Sequence, residues 1–276
     1  MAKSYNEMDL DIPWSSMGPD TRISRTGRSI VPIGFFPHEP PPIQAEPKPT
    51  IKTTQDSDFA DYVMEIMGTA IQGEDGKFVT CAHVIQAIHD AGGNPAIFAP
   101  LFREPVVLFM PFKVQAEFPF VDPRSGSING NVDLAGLIVA AKSTPEFPYE
   151  VPPANWGDSS KVGIGHPVVI GGYPHGKRMY FFTDSNSGIL QPTFYSGIIS
   201  AILPATNETE TRIFQVSIPA AGGMSGGALI DQQSGEVIGI VTSCVHTEHD
   251  VPLPMSYAIP SEVIAPYLDV IAYSSS

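Results

Sequence analysis

A lone serine sits among glycines in Gly222-Gly223-Met224-Ser225-Gly226-Gly227, and the apolar Ala228-Leu229-Ile230 follows at once. This stretch constrains the chain more than any other. Glycine carries no Cβ, so the backbone can turn tightly and approach a ligand closely. A serine on such a turn presents its hydroxyl outward, and the N–H groups of Gly223 and Ser225 can converge on one point, where a developing oxyanion would be stabilised. The apolar run then has to enter a core as a strand. With 25 glycines and 28 prolines in 276 residues, the rest of the chain also favours turn-rich β structure over helices.

Composition narrows the function classes. Apolar residues make up 42% and charged residues only 16%, the balance of a globular chain. The net charge of −14 argues against nucleic acid as a partner, because phosphate binding needs an excess of Lys and Arg. An anionic membrane surface is disfavoured on the same ground. The first residues show no apolar core of leader length, and no run approaches a membrane span. Two cysteines, Cys81 and Cys244, cannot build a disulfide framework. A reducing, cytoplasmic setting is the expectation.

Nine prolines fall within the first 50 positions, so residues 1–56 read as a proline-rich extension with little regular structure. Its apolar Ile30-Val-Pro-Ile-Gly-Phe-Phe36 is expected to dock on the body of the protein, and Pro37-His-Glu-Pro40 reads as a spacer. From residue 62 short β-like runs alternate with turn signals. The run 62–71, the turn Gly73-Glu-Asp-Gly76 and the run 77–81 predict a hairpin. Val84, Ile85 and Ile88 have helical spacing and end at Gly92-Gly93, predicting a short helix. Further strands are expected at 105–110, 112–117 and 133–140, then a linker over 142–160. A second group follows at 168–170, 179–182, 193–202, 212–218, 228–230, 236–242 and 255–259. A closing helix opens at Pro260, and Pro266 should shorten or kink it. Two groups of about six strands predict an all-β fold of two antiparallel six-stranded barrels with a short C-terminal helix.

Two more residues join the serine. Thr80-Cys-Ala-His83 ends an apolar strand and opens the short helix. Asn131-Val-Asp133-Leu-Ala places a carboxylate at the head of a long apolar strand. A buried carboxylate costs several kcal/mol without a partner, and a histidine N–H would supply one.

These three stretches resemble the signature motifs of trypsin-like serine proteases of the chymotrypsin fold, in the same order of His, Asp and Ser. Bacterial Deg/HtrA-type protease domains look most similar. Val162-Gly-Ile-Gly-His-Pro-Val-Val-Ile-Gly-Gly-Tyr-Pro-His-Gly176, Ser196-Gly-Ile-Ile-Ser200, Gly235-Glu-Val-Ile-Gly-Ile240 and Tyr257-Ala-Ile-Pro-Ser261 match further strands of that group. The resemblance implies a protease domain over 57–276, with a first barrel at about 57–141 and a second at about 160–260. No PDZ domain is expected after residue 276. It also implies a serine endopeptidase acting on protein or peptide substrates. Ser225 would be the nucleophile, His83 the base, Asp133 its orienting partner, and the Gly223 and Ser225 N–H groups the oxyanion hole. No metal or organic cofactor is called for. The digestive members carry an acidic residue before the serine, which pairs with a freed amino terminus, and Met224 cannot make that ion pair.

By the same resemblance, Pro219 and Ala220, with Thr242, Ser243 and Cys244 and with Met255 near them, would form the specificity pocket. Gly223-Met-Ser225-Gly-Gly227 also satisfies the G-x-S-x-G elbow of esterases, which needs a helix after the serine and a later histidine. A hairpin is expected there instead, although His246 and His249 do lie downstream. An esterase and a catalytically silent binding module stay open as alternatives. His246-Thr-Glu-His249-Asp250 reads as a polar hairpin loop and not a metal site, since no third ligand presents itself. Cys81 reads as a small buried residue.

Overall fold

The computed structural model describes residues 21–35, 65–74, 76–103, 106–122, 127–130, 132–139, 151–175, 181–182, 188–189, 192–203, 212–246 and 252–273. Among the described residues there are three α-helices: α1 (Arg22–Gly27), α2 (Ala82–Asp90) and α3 (Ser261–Tyr273). The strands of the first half are β1 (Ile30–Phe35), β2 (Glu65–Glu74), β3 (Lys77–Thr80), β4 (Ala96–Arg103), β5 (Val106–Pro119), β6 (Val121–Asp122), β7 (Ser127–Ile128) and β8 (Ala135–Val139). Those of the second half are β9 (Pro167–Gly172), β10 (Phe181–Phe182), β11 (Gly188–Ile189), β12 (Thr193–Leu203), β13 (Ile213–Val216), β14 (Ala228–Asp231), β15 (Val237–His246) and β16 (Pro252–Pro260). Two closed antiparallel barrels result, ordered β1-β2-β3-β8-β5-β4 and β12-β13-β16-β15-β14-β9. Closure leaves no open sheet edge in either barrel. The pairs β6–β7 and β10–β11 are small separate ribbons.

The expected two-barrel architecture is present, with differences of detail. The first barrel takes β1 from the segment read as an extension, so it begins near Ile30 and not near residue 57. Pro32 argued against a strand, yet β1 pairs with β4 only at Ile33 and Gly34 and lies along β2 from Ile30 to Phe35. The missing proline N–H therefore falls outside the short contact with β4. α1 anchors this entry. Thr21 caps it in a box with Ser24, and the Thr26 hydroxyl donates to the Gly235 carbonyl of the second barrel. The Tyr173 hydroxyl donates to the Ile30 carbonyl at 3.1 Å. The Pro37–Pro40 spacer and the 247–250 part of the His246–Asp250 loop lie outside the described residues.

The runs expected at 105–110 and 112–117 are one strand. β5 pairs with β4 from Val106 to Lys113 and with β8 from Val114 to Pro119, with a register shift at the second contact. β4 is not expected from the sequence, because its apolar run carries Pro100 and has no alternation. α3 runs for 13 residues through Pro266 and is not shortened there. Burial holds it: Tyr267, Leu268 and Ile271 are inside, and the Tyr267 hydroxyl accepts from Gly136 N–H at 2.8 Å and donates to the Phe118 carbonyl at 2.6 Å. This helix follows the second barrel and packs on the first. No helix among the described residues is long and apolar enough to cross a membrane.

Candidate active site

The β3–β8 register explains why residues 50 apart in sequence meet. Thr80, the last residue of β3, lies opposite Ala135, the first of β8. Going outward from that pair, β3 leads into Cys81-Ala82-His83, and Asp133 lies two residues before β8. His83 stands in the first turn of α2, whose Cys81 N-cap makes no side-chain cap. Asp133 supplies the cap instead. Its Oδ1 accepts the His83 backbone N–H at 2.9 Å, and its Oδ2 lies 2.6 Å from the His83 ring Nδ1. One carboxylate thus satisfies an unpaired N–H at the helix start and orients the ring. Burial pushes the Asp133 carboxyl up, but the bonds from the His83 ring and amide and the His83 charge outweigh it and hold the carboxyl below its ordinary value.

Ser225 stands three residues before β14, in the turn expected from its glycines. Its carbonyl accepts from Thr69 N–H of β2 at 2.8 Å, and its hydroxyl donates to the Thr242 carbonyl of β15 at 3.0 Å. Gly226 has φ of +85°, and a Cβ there would lie 1.9 Å from the Thr69 carbonyl oxygen. Only glycine fits so close to β2. The turn is braced further by Gly226 N–H to the Val241 carbonyl and Gly227 N–H to the Met224 carbonyl, both at 2.8 Å. Among the described residues, no hydrogen bond engages the N–H of Gly223 or Ser225.

The histidine–aspartate pair thus comes from the first barrel and the serine from the second, joined through Thr69. The serine hydroxyl rests on the Thr242 carbonyl, and among the described residues no hydrogen bond joins it to His83. Hydrogen bonds of this kind are often loose before substrate arrives. Of the expected pocket residues, Ala220 and Thr242 are buried, Pro219 and Ser243 are exposed, and the Met255 sulfur accepts from the Gln215 amide at 3.1 Å. The Cys244 side chain lies outside the described residues. Met224 is fully buried.

Cys81 is buried, and its thiol donates to the Val241 carbonyl at 3.3 Å. Ligand atoms of Cys81, His83 and Asp133 lie within 4.8 Å of one another. Their chemistry suits a metal poorly, because Asp133 and His83 are spent on each other and a metal needs the cysteine as thiolate. Burial, and then the Asp133 charge, push the Cys81 thiol well up. Iodoacetamide at pH 8 is therefore expected to leave Cys81 unmodified in the folded protein and to label it after unfolding. Peptide mass spectrometry reads the site; labelling of the folded protein at the rate of a free thiol would contradict the burial argument.

Sequence reasoning gave no role to Thr69, Tyr173 and His175, which brace the serine turn, although Tyr173 and His175 lie in the matched stretch 162–176. The Thr69–Gly223 and Tyr173–Thr69 bonds span 154 and 104 positions of sequence, too far for a local pattern to show.

The model of the trypsin-like peptidase domain matches residues 67–240, more than half of the chain. The chain belongs to that family. Among curated relatives, the serine protease Do-like HtrA of Lactococcus lactis is 36% identical over 134 residues, covering 47% of this chain and 30% of its own length. The serine protease Do-like HtrB of Bacillus subtilis is 32% identical over 139 residues, covering 50% of this chain and 27% of its own length. This trypsin-like domain therefore spans less than a third of those relatives. Among solved structures, the HtrA-type protease AlgW with a decapeptide aligns with a TM-score of 0.57 at 19% identity, over 91% of this chain and 66% of that one. The active form of the Rv3671c protease from M. tuberculosis aligns with a TM-score of 0.52 at 19% identity, over 90% and 82%. At such identities these likenesses speak for the fold, the chymotrypsin-like pair of barrels.

Proposed function

We propose that this domain is a serine endopeptidase working through a His83–Asp133–Ser225 triad and an acyl-enzyme. One observation carries the reading: Asp133 takes the Nδ1 side of a half-exposed His83 at 2.6 Å, which leaves Nε2 available as a base. Ser225 Oγ attacks the scissile carbonyl while His83 Nε2 takes its proton. Asp133 holds the ring tautomer and steadies its charged form. The carbonyl oxygen, now an anion, is met by the Gly223 and Ser225 N–H groups. His83 returns the proton to the leaving amine, and water then cleaves the Ser225 ester by the same path. Protein or peptide substrates and a cytoplasmic setting belong to this proposal, the latter resting on a sequence with only two cysteines.

The test is a serine-reactive fluorophosphonate probe together with casein hydrolysis. Labelling at Ser225 and fragmentation of casein are expected. Folded protein that takes no label would overturn the reading in favour of a silent module, and label with ester turnover but no peptide cleavage would favour an esterase.

The same reading sets the specificity. Pro219, Ala220, Thr242, Ser243, Cys244 and Met255 include no charged side chain, so nothing there can neutralise a buried Lys or Arg. A charge left unpaired would cost several kcal/mol. Cys244 and Met255 are larger than glycine and should crowd out Phe or Tyr. Small and medium apolar side chains are therefore expected on the acyl side of the cut bond. Discrimination among them should be loose, since one methylene is worth only ~1–3 kcal/mol. A peptide library varied at that position and scored by kcat/KM decides it; a preference for Arg or Lys would sink the assignment.

A further inference from the structure

An oxyanion hole built on glycine has an inherent weakness, because a glycine's two flanking peptide planes rotate more freely than those of any other residue. Gly223 sits at φ of +93°, in the left-handed region, so its own conformation does little to fix where its N–H points. Each of the two planes is fixed from outside the turn. The Gly222 carbonyl accepts from His175 N–H at 2.6 Å. In a planar trans peptide the C=O and the following N–H point in opposite directions, so this bond aims the Gly223 N–H away from His175. The next plane is held at both ends: Met224 N–H donates to the Ala221 carbonyl at 3.0 Å, and from outside the turn the Thr69 hydroxyl lies 2.7 Å from the Gly223 carbonyl.

The proton positions at Thr69 follow without choice. Tyr173 N–H can only donate, and it meets Thr69 Oγ1 at 3.0 Å, so Oγ1 is the acceptor there. The Gly223 carbonyl can only accept, so the hydroxyl proton goes to it. Thr69 is fully buried, and water cannot replace either bond. Its backbone N–H donates to the Ser225 carbonyl at 2.8 Å, and its carbonyl accepts the Thr80 hydroxyl at 2.7 Å. One residue of the first barrel therefore holds the turn on both sides of Met224. His175, at φ of +58°, is the described non-glycine residue with a left-handed backbone, and it places the second anchor.

We propose that Thr69 is a positioning residue for the oxyanion hole: with the Tyr173–His175 turn it clamps the peptide planes around Gly223, so that the N–H faces the reacting carbonyl oxygen. This rests on the role given above to the Gly223 and Ser225 N–H groups. Thr69 is fully buried, and its hydroxyl acts through the Gly223 plane.

Thr69→Val keeps the shape and removes the hydroxyl, while Thr69→Ser keeps the hydroxyl. The Val variant is expected to lose about 10- to 100-fold in kcat with KM changed less than about threefold, because the hole acts in the transition state. Its affinity for a peptide boronate should fall by the same factor. Exchange of the Met224 amide, which shares the Gly223 carbonyl's peptide plane and donates to the Ala221 carbonyl at 3.0 Å, should speed up. The Ser variant should stay within about threefold of wild type in each readout. A purely structural Thr69 would instead lower the midpoint of unfolding and weaken kcat and ground-state binding together, without rescue by serine. That pattern, or a Val variant with wild-type kcat and unchanged exchange, overturns the proposal. If wild-type protein has no peptidase activity, the endopeptidase reading fails on its own, and exchange decides the clamp: unchanged exchange in Thr69→Val overturns it, and faster exchange restored by Thr69→Ser supports it.

Discussion

Ser225→Ala is expected to lower kcat by on the order of 10⁴-fold or more and to leave the fold intact. The two halves of this statement come from different atoms. Among the described residues the hydroxyl makes one bond, to the Thr242 carbonyl, from a half-buried side chain, and such a bond is worth only about 0.5–1.5 kcal/mol net. What holds the turn is backbone: the Ser225 carbonyl to Thr69 and the Gly226 and Gly227 amides to Val241 and Met224. Alanine keeps all of these. The unfolding midpoint should stay within a few degrees, while fluorophosphonate labelling disappears. His83→Ala should be as inactive, because the proposed mechanism uses His83 as the base for Ser225. Near-wild-type peptidase activity in either variant, with wild-type contamination excluded by mass spectrometry, would remove that residue from the mechanism.

Most of the second barrel was legible because its strands are short, apolar and separated by glycine or proline turns, which is where local chemistry decides structure. β9, β12, β13, β14 and β15 all overlap the short apolar runs expected as strands. The first barrel was harder for a physical reason. β1 and β4 each carry a proline and become strands only because neighbours cover them: β1 through α1, β2 and Tyr173, and β4 through its eight-residue pairing with β5. Pro266 misled in the same direction. A proline's local cost of about 3 kcal/mol is offset in α3 by tertiary burial of Tyr267, Leu268 and Ile271. In the site, His83, Asp133 and Ser225 were readable because each sits beside a recognisable strand end. Thr69 was not. An ordinary threonine in an apolar strand becomes a clamp only when the second barrel brings Gly223 and Tyr173 to its hydroxyl.

The second large effect concerns Asp133, and Asn is the informative replacement. The Oδ1 acceptor survives in Asp133→Asn, so the His83 amide keeps its partner and α2 keeps its cap. At the other position an acceptor becomes an NH₂ donor. His83 Nδ1 must then accept, which moves the ring proton to Nε2, the atom that in the proposed mechanism receives the proton of Ser225. The variant is expected to fold normally and to lose about 10⁴-fold in kcat at neutral pH, read with a peptide substrate. Asp133→Ala removes both acceptors and should also lose stability, by about 0.5–2 kcal/mol for the helix cap. Acid separates charge from shape. The Asp133 carboxyl lies below its ordinary value, so its charge-dependent contribution is fully present above the unfolded value of about 3.9 and is lost as pH falls through the lower folded one. Any stability advantage of wild type over Asp133→Asn should therefore shrink as the pH drops below about 4. Its size at neutral pH should be modest, because a third of the side chain is exposed and solvent screens it. Denaturant unfolding of both proteins across that range measures the gap. A gap that widens on acidification would mean that the carboxylate destabilises the fold, and an Asn variant with wild-type kcat would mean that another group sets the His83 tautomer.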